Sequence, residues 1–181
     1  TGGAGFIGSH FVEKALQKGA NIHVIDSLSY AANLSFIDNF NPGFFTRADI
    51  NDNHIVSEAV NNLKPDSIIN FAAETHVDKS IENAEKFIKS NLIGLHSLLT
   101  VLPKKTRFIQ ISTDEVFGSL NNETKACETT PYAPQNPYSA TKAAADHLLM
   151  AWQNTYNIDA VIARSCNVFG PRQNYEKFIP K

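Results

Sequence analysis

The sequence is short of most features that mark a specialised class. It has two cysteines, Cys127 and Cys166, with neither a C-x-x-C spacing nor a cluster of His and Cys. That excludes a disulfide framework and a cysteine-built metal centre, so no metal is expected, and the thiols read as the reduced cysteines of a cytoplasmic protein. There is no excess of charge of either sign: 16 Lys and Arg stand against 18 Asp and Glu, for a net charge of −2 and a pI of about 6.3. Such a balance offers no electrostatic footprint for nucleic acid. No apolar run approaches the ~20 residues that a membrane-spanning helix needs, so no membrane partner is expected. Internal repeats and low-complexity tracts are missing as well.

What remains is an ordinary globular composition, 181 residues and 43% apolar, enough for one domain with a real core. Short apolar runs alternate with longer stretches of helical period. Residues 22–26, 67–72, 107–112 and 158–163 read as strands buried on both faces, with a weaker candidate at 44–48. Helices are predicted over about 6–18, 54–63, 81–102 and 137–156. In the third, Ile81, Ala84, Phe87, Ile88, Leu92, Leu95 and Leu99 recur at three- and four-residue steps, which predicts one packed face. The alternation predicts an α/β fold, a doubly wound parallel sheet of Rossmann-like type occupying residues 1–181. Residues 120–136 read as a long loop, and long loops in compact domains often carry function. A glycine-rich turn needs a strand feeding it, and here the turn begins at Thr1. The expectation is therefore an internal piece of a longer protein, short of its first strand. Phe178–Lys181, ending without a cap, reads the same way.

Gly2, Gly5 and Gly8 form a G-x-x-G-x-x-G turn ahead of the first helix. Glycines there let the backbone approach a pyrophosphate, whose charge then faces the helix N-terminus. Asp26 ends the next strand, where a carboxylate can accept hydrogen bonds from ribose hydroxyls. Ser27, Leu28 and Ser29 follow it with no Lys or Arg to neutralise a 2′-phosphate, which favours NAD over NADP. Asp49 and Ile50 can edge an adenine, or form an Asx turn into the next helix. Phe71, Ala72 and Ala73 follow a strand on the rim where open parallel sheets bind ligands.

Tyr138 and Lys142 are four apart, so on a helix they share one face, where a cation can lower the phenol's pKa. Thr113, Asp114 and Glu115 end the strand before them. Two carboxylates beside that phenol add an acid and a second base, which simple alcohol oxidation does not require. The set points to oxidation coupled to elimination.

Five segments together resemble the extended short-chain dehydrogenase/reductase family, and within it the nucleotide-sugar 4,6-dehydratases: residues 1–8, 72–80, 112–118, 137–142 and 164–173. The glycine turn and the Tyr-x-x-x-Lys spacing mark the superfamily, whereas Thr113, Asp114 and Glu115 mark a dehydratase. The resemblance implies that Tyr138 takes the sugar C4 hydroxyl proton while NAD takes the hydride, with Lys142 and Thr113 supporting it. It implies Glu115 as the C5 base and Asp114 as the acid that protonates the departing C6 hydroxyl. Thr75, Thr113, Asp114 and Asn167 become sugar contacts; Phe6, Ile7, Thr75, Ser90, Tyr138, Lys142 and Val168 join the cofactor set. Val168 and Phe169 depart from the usual Asn and Tyr. His76 is expected to be a hydrogen-bonded rim histidine rather than a catalyst. The resemblance also implies a substrate lobe beyond residue 181, a homodimer in the intact protein, and a nucleotide-linked glucose, dTDP-glucose first, as substrate. An epimerase or decarboxylase of the same superfamily, or a non-catalytic NAD sensor, are the competing expectations.

Overall fold

The short apolar runs fold as parallel strands separated by helices in the computed structural model, which describes residues 1–38, 44–121 and 125–177. Strand β1 (Val24–Asp26) pairs with β2 (Phe45–Arg47), Val24 lying opposite Phe45 and Asp26 opposite Arg47. The weaker candidate is thus a strand. Strands β3 (Ser67–Asn70), β4 (Arg107–Thr113) and β5 (Ala160–Ser165) form a second parallel sheet in that order.

Each helix starts where a local signal allows it. Helix α1 (Phe6–Gln17) follows the glycine turn. Helix α2 (Asn53–Leu63) is capped by Asp52, whose side chain accepts from the Ile55 N–H. The 20-residue helix α6 (Pro137–Tyr156) has proline in its first turn and a capping box built on Asn136 and Ser139. Among the described residues, the expected loop over 120–136 holds no strand or helix. Phe178–Lys181 lie outside the described residues.

The third predicted helix is broken. It becomes α3 (Val77–Glu82), α4 (Ala84–Phe87), a π-helical turn (Ile88–Ile93) and α5 (Gly94–Thr100). Asn83 adopts an extended backbone, and its side chain caps the restart by accepting from the Glu85 N–H. The π turn then adds a residue to the repeat, so a stripe with a period of 3.6 cannot stay on one face. Phe87, Leu95 and Leu99 are buried, whereas Ile81 is 67% and Ile88 45% exposed.

The main core lies between α2, α5, α6 and the second sheet: Val56, Val60, Leu95, Leu98, Leu99, Phe108, Ala145 and Leu149 pack together. Each such side chain stabilises the fold by roughly 1.5–3 kcal/mol relative to exposure. A smaller cluster of Ala4, Val12, Val24 and Ile37 sits under α1 and β1.

The two sheets are not joined by a continuous ladder. A groove of about 710 Å³ separates them, walled by Ile22, Val24 and Ile25 on one side and by Ser67, Ile68 and Ile69 on the other. Thr1 and Gly2 bridge its end. The Gly2 N–H donates to Ile25 O (2.9 Å), the Thr1 amino group donates to Ile69 O (2.8 Å), and the Phe71 N–H donates to Thr1 O (3.0 Å).

Candidate active site

The glycine turn closes tightly on its surroundings. Gly2 has φ of +69°, and a Cβ there would stand 2.4 Å from Ala72 N; at Gly8 it would stand 2.2 Å from Gly2 O. Side chains are excluded at both positions, which lets the backbone approach a ligand. The N-cap of α1 is Gly5, with no side-chain cap and no acidic residue in the first turn, so its N–H groups and positive dipole end are free for an anion.

Asp26 is fixed before any ligand arrives. Its Oδ2 accepts from the Ala4 N–H (2.9 Å) and its Oδ1 from the Leu28 N–H (2.8 Å). Each carboxylate oxygen keeps a lone pair for a hydroxyl. Asp26, Ser27, Ser29, Asp49, Ile50, Ala72 and Ser90 line one cavity of about 270 Å³. Asp49 also forms the Asx turn, accepting from the Asn51 N–H at 2.9 Å. Leu28 does not line this cavity. It has φ of +56° and packs against the cluster around Val12 and Val24, contributing only its backbone to Asp26.

A second cavity of about 550 Å³ adjoins the first, sharing Gly2, Gly5, Phe71 and Ala73 with it. Phe6, Ile7, Gly8 and Thr75 line it from one side. Thr113, Glu115, Tyr138, Lys142, Asn167 and Val168 line it from the other. Two buried polar atoms on its wall, Ser112 Oγ and His76 Nδ1, lack a hydrogen-bond partner among the described residues. The Nδ1 of the histidine expected to be hydrogen-bonded is therefore unpartnered among the described residues. The cleft suits an elongated, anionic ligand of dinucleotide size: the glycine turn offers backbone N–H groups, Asp26 offers carboxylate lone pairs, and unpartnered polar atoms line the far end. Among the described residues no group of three His, Cys, Asp or Glu could hold a metal, and no helix is long and apolar enough to cross a membrane.

Strand β4 delivers Thr113 to the cavity, and a 3₁₀ turn (Asp114–Phe117) follows, with the Glu115 N–H donating to Thr113 Oγ1 (3.2 Å). Tyr138 stands in the first turn of α6, its N–H donating to Ser80 Oγ (3.1 Å). Burial pushes the Tyr138 phenol up to about 12; a hydrogen bond with Thr113 opposes the shift, and Glu115 and Asp114 add to it. Lys142 is brought down to about 8, chiefly by burial, with Asp146 opposing. Its Nζ donates to Ile111 O (2.6 Å) rather than to the phenol. The lysine thus stands one helical turn from Tyr138 with its charge directed at β4. Glu115 Oε2 accepts from Asn136 Nδ2 (3.2 Å). Asp114 lines neither cavity; its Oδ1 accepts from Thr113 Oγ1 (3.4 Å) and its carboxylate hydrogen-bonds with the Cys166 side chain.

Several residues that order the site went unnoticed in the sequence. Asn91, on the π turn, accepts from the Glu74 N–H (2.9 Å) and donates to Glu74 O and Thr141 Oγ1 (both 3.0 Å), tying the rim loop to α6. Asp146 is fully buried, four residues beyond Lys142, and accepts from Tyr132 OH and Arg164 Nε at 3.0 Å. A polar residue inside an otherwise apolar helical stripe is the signal that could have found both.

Over residues 1–181 the sequence matches the family described as GDP-mannose 4,6 dehydratase. The chain belongs to this family. A dTDP-glucose 4,6-dehydratase of Xanthomonas campestris is 42% identical over 194 aligned positions, covering 99% of this chain and 55% of its own. Among solved structures, DesIV, a dTDP-glucose 4,6-dehydratase from Streptomyces venezuelae crystallised with NAD and TYD, superposes with a TM-score of 0.92 at 39% identity, over 99% of this chain and 58% of its own. The Thermus thermophilus UDP-glucose 4-epimerase complexed with NAD superposes at 0.87 with 34% identity, over 96% and 56% of the two chains. The chain thus spans about half the length of the relatives it matches. Its parallel sheets and flanking helices are the Rossmann-like part of this 4,6-dehydratase family.

Proposed function

We propose that the intact protein is an NAD-dependent nucleotide-sugar 4,6-dehydratase that converts dTDP-glucose to dTDP-4-keto-6-deoxyglucose and water. The observation that carries this reading is Glu115, held in the same cavity wall as Thr113, Tyr138 and Lys142. A 4-epimerase oxidises and reduces at C4 and has no elimination for a second base to serve. The relatives named dTDP-glucose 4,6-dehydratase support the dTDP-linked substrate.

When bound, NAD supplies the hydride acceptor for C4 and later the hydride donor for C6. Tyr138 takes the C4 hydroxyl proton; with its phenol raised to about 12 by burial, it does so only beside positive charge. Lys142, one turn away and mostly ammonium at neutral pH, is the cation the chain itself provides. Thr113 donates a hydrogen bond to the C4 oxygen. The 4-ketone acidifies C5–H, which Glu115 removes. Asp114 protonates the C6 hydroxyl as its C–O bond breaks, releasing water, and a proton returned to C5 completes the balance. For Asp114 to act it must turn from Cys166 towards the cavity. Thr75 and Asn167, both on the cavity wall, contact the sugar. We place the enzyme in the cytoplasm, where its two exposed free cysteines stay reduced. We further propose a homodimer, for which the exposed Ile81, Ile88 and Ile93 provide apolar surface.

Single-turnover experiments on the intact protein test the assignment. Glu115→Gln should still form NADH yet lose exchange of C5 hydrogen with deuterated solvent. Tyr138→Phe should form no NADH. Asp114→Asn should oxidise C4 and release water slower by ~10²–10⁴-fold, the usual worth of a general acid. Wild-type C5 exchange and dehydration in Glu115→Gln would overturn the dehydratase reading and leave the epimerase one.

A further inference from the structure

Asn136 uses the two ends of one amide for two different elements. Its Oδ1 accepts from the Ser139 N–H (2.8 Å) and caps the helix that carries Tyr138 and Lys142. Its Nδ2 donates to Glu115 Oε2 (3.2 Å) on the 3₁₀ turn after β4. The amide's orientation is dictated by chemistry: a backbone N–H needs an acceptor and a carboxylate needs a donor. Ser, Thr and Asp would cap a helix as well as Asn does. Capping alone therefore does not call for an amide at this position. An amide is called for only if the carboxylate beyond it is to be held as well.

Resting on the reading of Glu115 as the C5 base, we propose that Asn136 is a positioning residue that sets the carboxylate of Glu115 relative to the Tyr138 phenol. Without that bond Glu115 hangs on three rotatable bonds from a turn, whereas Tyr138 is fixed two residues after the cap. The bond makes the distance between the two bases a property of the α6 N-terminus. Other charged or titratable groups that act on Glu115 or its surroundings are Tyr138 on α6, Asp114 on its own turn, and Lys177 from the segment that crosses the cavity. Of these groups and Asn136, only Asn136 donates a hydrogen bond to Glu115 in the structure. The long loop over 120–136 thereby ends in a residue that serves the chemistry.

Asn136→Asp in the intact enzyme separates the roles, because it keeps the cap and replaces the donor by a second carboxylate. NADH formation in a single turnover should match wild type, and the melting temperature should fall only by what like-charge repulsion costs at neutral pH, recovering at acid pH. Exchange of C5 hydrogen with solvent should fall ~10–10²-fold, the cost of misplacing a reacting group by about an ångström. The acid limb of that exchange should move to higher pH, since facing carboxylates hold a proton between them. Asn136→Ser, a neutral cap with shorter reach, should lose exchange with a smaller movement of the limb. Wild-type exchange at every pH in Asn136→Asp would show that the residue only caps the helix. Equal losses in melting, NADH formation and exchange would likewise assign it a structural role and overturn the proposal. Glu115→Gln, measured alongside, isolates the underlying reading: if it exchanges C5 normally, the assignment of the base fails whatever Asn136 does.

Discussion

Replacing Lys142 by methionine should abolish catalysis and make the protein more stable at neutral pH. The side chain is 3% exposed, and its ammonium is brought from 10.5 to about 8 by burial. At ~1.4 kcal/mol for each tenfold loss of proton affinity, keeping that charge inside the fold costs about 3 kcal/mol. Methionine of similar length removes the cost but forfeits the hydrogen bond to Ile111 O, worth ~1 kcal/mol net. The expected gain is about 2 kcal/mol. Its pH dependence is the sharper test. The unfolded lysine keeps its proton up to 10.5, whereas the folded one releases it near 8. Between these values the unfolded state binds more protons, so wild-type stability rises with pH. The advantage of Lys142→Met is therefore full below about pH 8 and shrinks as pH approaches 10.5. Urea denaturation of both intact proteins across that window reads it directly. A variant less stable at neutral pH, or an advantage that does not change with pH, would refute the reasoning.

Gly8→Ala should weaken NADH binding at least ~10-fold in a fluorescence titration, because its Cβ would stand 2.2 Å from Gly2 O; unchanged affinity would mean that the turn can relax. The intact enzyme should turn over without added NAD, a cofactor regenerated each cycle having no reason to leave. Denaturing it and finding no dinucleotide, with activity dependent on fresh NAD, would count against that. Expressed alone, residues 1–181 should bind a hydrophobic dye and lack a cooperative melt, since β1 and β3 face each other as open edges across the groove. A sharp two-state transition would contradict this.

The strands and the glycine turn are legible in the sequence because their signals are local. A short β-branched run, a glycine spacing and a carboxylate at a strand end each carry their meaning within ten residues. Tyr138 and Lys142 were readable for the same reason, as two positions one helical turn apart. The failures came where segments distant in sequence decide. Ile81 and Ile88 fit a helical stripe, but Asn83 and the π turn broke it so that Asn91 could reach Glu74 and Thr141. Lys142 was expected to face the phenol, and the carbonyl of Ile111, 31 residues away, claims its hydrogen bond. The Asp146–Arg164 pair spans 18 residues and two elements, and no periodicity announces it. Asn136 read as loop because its second partner, Glu115, lies 21 residues back.

The cleft described above straddles both sheets: Asp26 belongs to the first, and Thr113 and the rim after β3 to the second. A molecule lying along it is therefore a beam as well as a reagent, reinforcing a junction that Thr1 and Gly2 span by four hydrogen bonds. At a hundred times its dissociation constant such an occupant adds ~2.7 kcal/mol of cohesion. Loss of the occupant then withdraws that cohesion from the seam between the two sheets. Substitutions in the distant groove wall, such as at Ile25 or Ile68, will register as faster loss of the occupant before any change in bond-making. Durability in use is thereby governed by how long the beam stays seated, and residues far from any reacting atom control it.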